Sequence, residues 1–170
     1  CLKDEGINRF GFCELKRPLS FDYYDAWLKN QYQATMDYLV RHRDQKETPQ
    51  KLKSFARSAV VVAVDYLPHP SPESKKWKSL KVARYAQGGD YHDWLKDKLE
   101  AVVARLKVEC PGEEFAVFTD SAPVLERDLA YRAGLGWFGK NTCLIDQKAG
   151  SFFLIGEIYT SLDLKGPLDF

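Results

Sequence analysis

The chain has 170 residues, of which 45% are hydrophobic and 29% charged, a composition typical of one globular domain with its own core. Lysine and arginine number 25 against 24 acidic residues, and the net charge of +1 argues against a nucleic-acid binder that works by charge alone. No apolar run approaches the roughly 18 residues of a membrane span, and no secretory signal opens the chain.

The two ends of the chain indicate a domain cut from a longer protein. The first residue is Cys1, and the single methionine is Met36. The last residues, 164–170, contain no segment that would close a fold. We therefore expect further sequence outside this chain.

The first half of the chain predicts helices between two strands. Residues 9–14 are typical of a short strand, and a helix follows over 20–29 with Ser20 as its N-cap. The nearly continuous β-branched run at 59–66 predicts a strand that is buried on both faces. A second helix is expected over 31–43, with an apolar face formed by Tyr32, Met36, Leu39 and Val40.

The second half of the chain predicts strands and helices in a mixed order. A long exposed loop rich in proline, serine and lysine is expected at 67–82, and an amphipathic helix at 90–110. A further helix, capped by Asp120 or Ser121, is expected to end near Ala133. Strands are expected at 114–119, 142–145 and 151–160. We predict an α/β domain of three layers with a central mixed sheet.

Asp120 is the first candidate for chemistry, because a predicted strand runs into it and a predicted helix leaves it. In α/β folds, ligands gather at the carboxyl ends of strands. One interpretation is that its carboxylate only caps the helix, which lowers its pKa. The other is that it donates a proton, which requires a pKa raised by burial against something bulky and apolar. A large flat cofactor over Asp120 would provide that burial.

The glycine-rich segment 134–145 is the second candidate. Its glycines allow tight turns and close approach to a ligand, and Gly139, Lys140, Asn141 and Thr142 offer hydrogen-bond donors that suit the amides or phosphate of a bulky cofactor. Asn141 stands where a P-loop needs serine or threonine, and the segment follows a helix where a dinucleotide fingerprint follows a strand. The alternative is a helix C-cap with a structural turn.

The third candidate is the segment that begins at Asp90, which can cap the following helix and place Tyr91 and His92 in its first turn. These two side chains could line a substrate pocket and polarise an oxygen atom. The alternative is a polar surface or capping role. The Asp-x-His start of a histidine-ligated cobalamin motif is rejected, because Leu95 stands where that motif needs glycine.

The cysteines and histidines do not indicate a metal site. No Cys-x-x-Cys pair is present, so zinc and iron–sulfur sites are poorly supported, and we expect reduced, partly buried thiols in the cytoplasm. The cysteines are Cys1, Cys13, Cys110 and Cys143, and the histidines are His42, His69 and His92.

A basic stretch within the predicted loop could contact nucleic acid. Lys75, Lys76, Lys78 and Lys81 surround Trp77, a pairing that can hold a phosphate backbone and stack on a base. A solvated loop is the alternative.

Six segments resemble, in order and spacing, the N-terminal cobalamin-binding domain of the epoxyqueuosine reductase family, and the resemblance covers almost the entire chain. The joint match is specific, although each segment alone would be weak. The segments are 36–42, 63–68, 83–92, 119–127, 134–145 and 150–162.

The resemblance implies an oxidoreductase for the last step of queuosine biosynthesis, in which the epoxide oxygen of epoxyqueuosine is removed from the wobble position of tRNA. It implies a nitroreductase-like fold, a cobalamin without a protein histidine as lower ligand, and electrons from two [4Fe–4S] clusters. The family is related to reductive dehalogenases.

The resemblance also implies roles for individual residues. Asp120 falls on the family's proton donor, and Tyr91 and His92 would face the substrate as further catalytic residues. The small Ala83 would leave room for the corrin ring. The cofactor-binding residues would be Ala83, Asp120, Arg127, Gly139, Lys140, Asn141, Thr142, Ser151 and Phe153, with Gly150 and Phe152 adding to the wall.

The family's iron–sulfur segment and helical-repeat tail are absent from residues 1–170, so electrons would have to come from a C-terminal or external ferredoxin-like donor. Two other interpretations remain open. The chain could be a stand-alone module that binds a corrinoid or a flavin without reductase activity, or a scaffold that only docks tRNA or another partner.

Overall fold

A computed structural model describes residues 1–66, 83–86 and 89–167. A four-stranded sheet forms its centre, in the order β1-β2-β6-β3. These strands are β1 (Arg9–Glu14), β2 (Ser58–Asp65), β3 (Phe115–Thr119) and β6 (Phe153–Thr160), and a separate hairpin is formed by β4 (Trp137–Phe138) and β5 (Leu144–Ile145).

Five α-helices are present in the described part of the chain, with short 3-10 turns at Lys3–Glu5, Pro49–Lys51 and Arg84–Ala86. They are α1 (Phe21–Lys29), α2 (Asp37–Arg41), α3 (Arg43–Glu47), α4 (Tyr91–Glu109) and α5 (Glu126–Arg132). The structure confirms, to within one residue, the strands predicted at 9–14, 59–66 and 114–119 and the helix predicted at 90–110. The observed β5 and β6 each begin two residues later than predicted.

The predicted mixed sheet is wrong, because every pairing of the four-stranded sheet is antiparallel. The prediction rested on the mixed order of strands and helices along the chain, which does not fix the direction of each strand. β2 is indeed buried on both faces from Ser58 to Ala63. It owes this to its interior place in the sheet between β1 and β6, with helices on either side. The three-layer α/β arrangement is confirmed.

One outer layer is the long helix α4. Its Leu95, Leu99 and Val102 are fully buried against Val62 and Ile158 of the sheet. Each large apolar side chain buried in this way contributes about 1.5–3 kcal/mol to folding. The spacing of these residues fixes which face of α4 lies on the sheet and thereby the direction in which its first turn points.

The opposite layer is built around α5 and a buried ion pair. Arg132 Nε donates to Asp128 Oδ1 at 3.0 Å, and both side chains are buried. Arg132 also donates to the carbonyl of Glu14, and Asp128 accepts from the backbone N–H of Ser20. The pair therefore ties α5 to β1 and to the start of α1.

The predicted helix at 31–43 is also wrong. Gln31 and Ala34 have φ angles of 58° and 50°, which break the helical path, and helical structure resumes only at α2. The predicted core face is largely in solvent, since Tyr32, Met36 and Val40 are all exposed. The apolar residues of this short segment recur with the 3.6-residue period of a helix, and that spacing alone gives no sign of the break.

Asp120 and Ser121 do not cap a helix, contrary to one prediction. The segment after β3 makes tight turns, in which Ser121 N–H bonds back to the carbonyl of Thr119 and Val124 N–H to that of Ala122. The helix α5 begins at Glu126, five residues later than a cap at Asp120 and four later than a cap at Ser121 would require. The carboxylate of Asp120 is therefore free to face the interior of a cleft.

The predicted C-cap at the glycine-rich segment is confirmed. Gly134 has a φ of 77° just after α5, and Leu135 N–H bonds to the carbonyl of Ala130. All four cysteines are free, and the predicted burial holds for Cys13 and in part for Cys110, whereas Cys1 and Cys143 are exposed. The predicted loop at 67–82, with its lysines, Trp77 and His69, lies outside the described residues. Among the residues that are described, no helix has the length and apolar character of a membrane span.

Candidate active site

A cleft of about 420 Å³ opens at one edge of the sheet. β2 and β3 both pair antiparallel with β6, so the carboxyl ends of β2 and β3 lie at the same edge as the start of β6. Side chains that follow those two strands meet there, together with the first turn of α4 and the first residue of α5. The cleft is lined by Tyr66, Tyr85, Tyr91, Asp120, Glu126, Arg127, Cys143, Leu144, Ser151, Phe153, Leu154 and Ile155.

Asp120 is held by two donors from the first turn of α4. Tyr91 Oη donates to Asp120 Oδ2 at 2.5 Å, and His92 Nε2 lies 3.1 Å from the same oxygen. The hydrogen bond from Tyr91 is the main reason that the pKa of Asp120 is held below its ordinary value, and His92 acts in the same direction. The carboxylate is therefore the charged form in this structure.

The backbone at Asp120 is strained. Its φ angle is 33°, in a region that non-glycine residues rarely adopt. Such conformations cost about 1–3 kcal/mol and concentrate at functional sites. The side chain of this residue contacts the first turn of α4 through Tyr91 and His92.

His92 bridges two carboxylates. Asp90 caps α4 as predicted, accepting from His92 N–H at 2.9 Å, and its Oδ1 also lies 2.7 Å from His92 Nδ1. With Asp120 at the other ring nitrogen, Asp90 first and Asp120 second raise the pKa of His92. A doubly protonated ring fits this arrangement best, because each nitrogen then donates to a carboxylate.

Aromatic rings form one wall of the cleft. Tyr91 stacks on His92 with ring centroids 4.0 Å apart, and Tyr85 meets Tyr91 edge to face. Tyr66 contacts both Tyr85 and Phe152 in the same T-shaped manner. Tyr85 and Phe152 remain exposed, so the wall presents apolar surface to whatever covers the cleft. Sequence reasoning did not single out Tyr66 or Tyr85, whose only signal is their place within the recognised segments 63–68 and 83–92.

The predicted cofactor-binding residues divide into two groups. Asp120, Arg127, Ser151 and Phe153 line the cleft. The loop of Gly139, Lys140, Asn141 and Thr142 does not line it, and Ala83 lies outside the lining on the exposed segment that carries Tyr85.

Arg127 joins the two groups. Its Nη1 donates to the carbonyl of Thr142 at 2.7 Å. Within the loop, Asn141 Oδ1 accepts from Cys143 N–H, and Gly139 N–H bonds to the carbonyl of Cys143. The loop is thus a closed turn at the rim, and Cys143 and Leu144 are the parts of it that reach the cleft.

Two glutamates near Asp120, one half-buried and one fully buried, were missed from the sequence. Glu126, the first residue of α5, lines the cleft, and burial together with the charge of Asp120 raises its pKa to about 7. Glu157 lies in β6 and is 1% exposed, and burial raises its pKa well above the ordinary value. Glu126 is part of the recognised segment 119–127. Glu157 has no signal of its own, because one acidic residue in a strand normally faces solvent.

The sequence matches a family model described as "Epoxyqueuosine reductase QueG, DUF1730" over residues 46–121. An epoxyqueuosine reductase of Francisella cf. novicida is 42% identical over 84% of this chain and 41% of its own length. That of Xanthomonas campestris pv. campestris is 38% identical over 98% of this chain and 48% of its own length. The chain is a homologue of the epoxyqueuosine reductases and spans about half the length of these relatives.

Solved structures share the fold. The epoxyqueuosine reductase from Streptococcus thermophilus superposes with a TM-score of 0.79 at 24% identity, over 99% of this chain and 46% of that chain. A second structure, of an epoxyqueuosine reductase with a tRNA-Tyr epoxyqueuosine-modified stem loop, gives 0.75 at 23% identity, over 99% of this chain and 45% of that chain.

The arrangement is suited to proton transfer to an oxygen atom in the cleft. A carboxyl group, a phenol and an imidazole share hydrogen bonds at its wall, and the cleft is large enough for a nucleoside-sized group. Within the described ranges, no group of three His, Cys, Asp or Glu side chains could hold a metal ion.

Proposed function

We propose that the chain is the cobalamin-binding part of an enzyme that reduces epoxyqueuosine to queuosine in tRNA. The observation that carries the proposal is the carboxylate of Asp120, held at the cleft by Tyr91 and His92, in a homologue of the epoxyqueuosine reductases. The likeness to a structure with an epoxyqueuosine-modified stem loop supports tRNA as the substrate.

The residues present fit a cobalamin. The exposed rings of Tyr85 and Phe152 offer an apolar border for a corrin, and the small Ala83 precedes Tyr85 on the same segment. Arg127, Ser151 and Phe153 would hold the ring from the cleft, and the exposed Lys140, Asn141 and Thr142 would reach its polar periphery from the rim. His92 has both ring nitrogens engaged, which suits a cobalt that does not take His92 as its ligand.

The overall reaction consumes two electrons and two protons and yields an alkene and one water. Held by Arg127, Ser151 and Phe153, a cobalamin would supply the electrons for opening the C–O bond of the epoxide. Asp120 supplies a proton to the oxygen atom as negative charge develops on it. Tyr91 and His92 orient the Asp120 carboxyl group toward the cleft by holding one of its two oxygens, which leaves the other for the substrate.

Asp120 must gain a proton before it can donate one. Its hydrogen bonds favour the anion, and a flat apolar group over the cleft opposes them because it removes water from the carboxylate. The covering group and the substrate therefore decide the protonation state of Asp120. Asp120 therefore carries a proton that it can donate only when the cleft is covered.

The remaining parts of the proposal concern the setting of the reaction. Electrons would come from [4Fe–4S] clusters in a ferredoxin-like partner or in sequence beyond this chain, which agrees with relatives of about twice the length. A tRNA substrate and thiols that stay reduced would both place the enzyme in the cytoplasm. The antiparallel sheet with helices on both faces is compatible with a nitroreductase-like ancestry of the domain.

Cobalamin binding can be measured directly with a matched pair of variants. Ala83→Trp places a large ring where the corrin would lie, and Ala104→Trp places the same ring on the exposed face of α4. We expect the wild-type chain to retain hydroxocobalamin through gel filtration and to show a base-off spectrum after chemical reduction. Ala83→Trp should weaken binding by about tenfold or more, the equivalent of 1.4 kcal/mol, and Ala104→Trp should leave it unchanged.

The same experiment separates the alternatives. A protein that retains no cobalamin, or one whose affinity is unaffected by Ala83→Trp, contradicts the proposed cofactor site. A protein that retains cobalamin but does not remove the oxygen atom from epoxyqueuosine in tRNA, when an electron donor is supplied, is a binding module without reductase activity.

A further inference from the structure

The imidazole ring of His92 is fixed at both of its nitrogens and on one face. Its Nδ1 lies 2.7 Å from Asp90 Oδ1, and its Nε2 lies 3.1 Å from Asp120 Oδ2. The ring of Tyr91 stacks on it with centroids 4.0 Å apart and an angle of 25° between the planes. Asp90, His92 and Asp120 therefore form a hydrogen-bonded triad, with the imidazole between two carboxyl groups.

Asp90 makes two contacts with His92 that serve different purposes. Its Oδ1 accepts from the backbone N–H of His92 at 2.9 Å, which caps α4. Capping requires only an acceptor oxygen, and asparagine provides one about as well as aspartate. The contact with Nδ1 is different, because a negative charge there favours a ring that is protonated on both nitrogens. The second contact is therefore not explained by the helix cap.

The triad extends from solvent to the cleft. The side chains of Asp90 and His92 are 61% and 37% exposed, and neither belongs to the lining of the cleft, whereas Asp120 does. A proton that His92 takes from water therefore reaches Asp120 without passing through the cleft. This route stays available when a bound group covers the cleft and keeps water out of it.

With the cleft open, His92 and Asp120 form an ion pair. Asp90 and Asp120 raise the pKa of His92, and the hydrogen bonds from Tyr91 and His92 lower the pKa of Asp120. The titratable or charged groups that interact with this pair are Asp90, Tyr91, Glu126 and Arg127.

Covering the cleft favours the neutral form of the same pair. The side chain of Asp120 is 52% exposed, so water solvates its charge while the cleft is open. An apolar group over the cleft removes that water, and a charged pair without solvent is costly. Transfer of one proton from His92 to Asp120 cancels both charges. Asp90 remains in solvent and keeps its hydrogen bond from Nδ1.

We propose that Asp90 is a positioning residue, which keeps His92 doubly protonated and directed at Asp120, so that His92 supplies the proton that Asp120 gives to the substrate. In this step the Nε2–H bond of His92 breaks and an O–H bond forms at Oδ2 of Asp120. His92 is left neutral, with its remaining proton on Nδ1. Asp120 then gives one proton to the oxygen of the opened epoxide and becomes an anion, and His92 regains a proton from water. The catalytic part of this proposal rests on the proposed function.

The triad can be tested in the chain without cofactor. Nitrogen-15 NMR of the imidazole rings measures the pKa and the tautomer of each histidine, and His92→Gln identifies the signals of His92. The pKa of His92 should lie above its ordinary value of 6.5, and the neutral ring should keep its proton on Nδ1. Asp90→Asn should lower this pKa. Asp93→Asn is the matched control, because it removes the same charge from the same turn of α4, and it should lower the pKa far less.

The helix cap does not confuse this test, because Asp90→Asn keeps an acceptor for the backbone N–H of His92. Circular dichroism should show the same helix content in wild type and Asp90→Asn. A His92 pKa that is equal in these two proteins, or a neutral ring with its proton on Nε2, overturns the proposal. Neither readout depends on reductase activity.

The catalytic role needs the complete reductase with cobalamin, an electron donor and epoxyqueuosine-containing tRNA. The single-turnover rate should fall on the alkaline side of the pH profile as His92 loses its proton, by about tenfold per pH unit beyond the midpoint. Asp90→Asn should move this fall to lower pH and leave the rate below it near that of the wild type. A merely structural role would lower the rate by the same factor at every pH.

Two failures of this experiment have different meanings. An active enzyme whose alkaline fall is at the same pH in wild type and Asp90→Asn overturns the role of Asp90 and His92 in supplying the proton. A complete wild-type protein that does not remove the epoxide oxygen contradicts the proposed function instead.

Discussion

The protonation state of Asp120 depends on two side chains that are 28 and 29 residues away in the sequence. The sequence singled out Asp120, Tyr91 and His92, and the structure brings all three into contact. What the sequence could not indicate is which donor dominates. The short hydrogen bond from Tyr91 is the largest influence on the carboxylate, ahead of the imidazole.

Tyr91→Phe should raise the pKa of Asp120 toward 3.8, its ordinary value, because it removes the main hydrogen bond to the anion. A lowered carboxyl pKa stabilises the folded state above the pKa of the unfolded chain, and that stabilisation is lost as the pH falls through the folded-state pKa. The variant's loss of stability should therefore be present at pH 7 and fade in acid.

Carbon-13 NMR titration of Asp120 measures this shift, and denaturant unfolding at several pH values measures the stability. Tyr23→Phe is a suitable control, since Tyr23 is exposed on α1. An Asp120 titration that is identical in wild type and Tyr91→Phe would contradict the assigned hydrogen bond.

The same residues show why sequence reasoning found some of the site and missed the rest. Asp120, Tyr91 and His92 are polar residues at predicted element boundaries, where function is common. Glu157 is a single acidic residue in an apolar strand, and nothing local distinguishes a buried one from a solvent-facing one. Glu126 and Tyr66 lie within recognised segments, but their meeting with Asp120 in the lining of one cleft depends on the strand order.

Among the secondary-structure elements, α5 connects the site to the rest of the fold. Its first residue lines the cleft, and its Asp128–Arg132 ion pair holds its other end against β1 and α1. The close approach of α5 to β1 requires glycine at position 11, because a Cβ there would lie 2.0 Å from the carbonyl oxygen of Ala133. The position of Glu126 therefore depends on contacts far from the cleft.

Arg132→Leu should lower the free energy of unfolding by about 3–5 kcal/mol, because it leaves Asp128 buried without a counter-charge. The double variant Asp128→Asn with Arg132→Leu should lose less than the single one. Arg105→Leu, which removes the exposed pair with Asp4, should cost far less than Arg132→Leu, because water screens charges at the surface. Urea denaturation distinguishes them, and an equal loss for Arg132→Leu and Arg105→Leu would show that the buried pair is unimportant.

Element-level predictions succeeded where the hydrophobic pattern was long. The helix α4 has buried residues over several turns, and β2 is an unbroken apolar run. The pattern over 31–43 was shorter, and left-handed residues within it break the helix. The sequence could not predict whether the strands pair parallel or antiparallel. An interior antiparallel strand covered by helices has the same apolar pattern as a parallel one.

For the whole molecule, the buried carboxyl groups predict an unusual dependence of stability on pH. Glu126 and Glu157 have raised pKa values in the folded state, so the folded chain binds more protons than the unfolded chain above pH 4.5. Their stabilisation is present below that pH and is lost as the pH rises through about 7 and beyond. Several aspartates have lowered pKa values and lose their stabilisation in acid.

Stability should therefore be greatest in mildly acidic solution. Between about pH 5 and 7, each group that is protonated only in the folded state reduces the free energy of unfolding by about 1.4 kcal/mol per pH unit. Glu157→Gln should make this slope shallower, and Glu100→Gln should not. Urea denaturation across that range measures the slopes, and a wild-type stability that rises with pH would be the opposite of what the buried pair requires.

The most direct test of the account concerns Asp120 in the complete reductase, loaded with cobalamin and supplied with an electron donor and epoxyqueuosine-containing tRNA. Loss of the epoxide oxygen, followed by mass spectrometry of the tRNA nucleosides, should be about 10²–10⁴-fold slower in Asp120→Asn, as expected when a general acid is removed. Cobalamin should bind the variant as it binds the wild type. Unchanged turnover in Asp120→Asn with cobalamin bound would contradict the assignment of Asp120 as the proton donor.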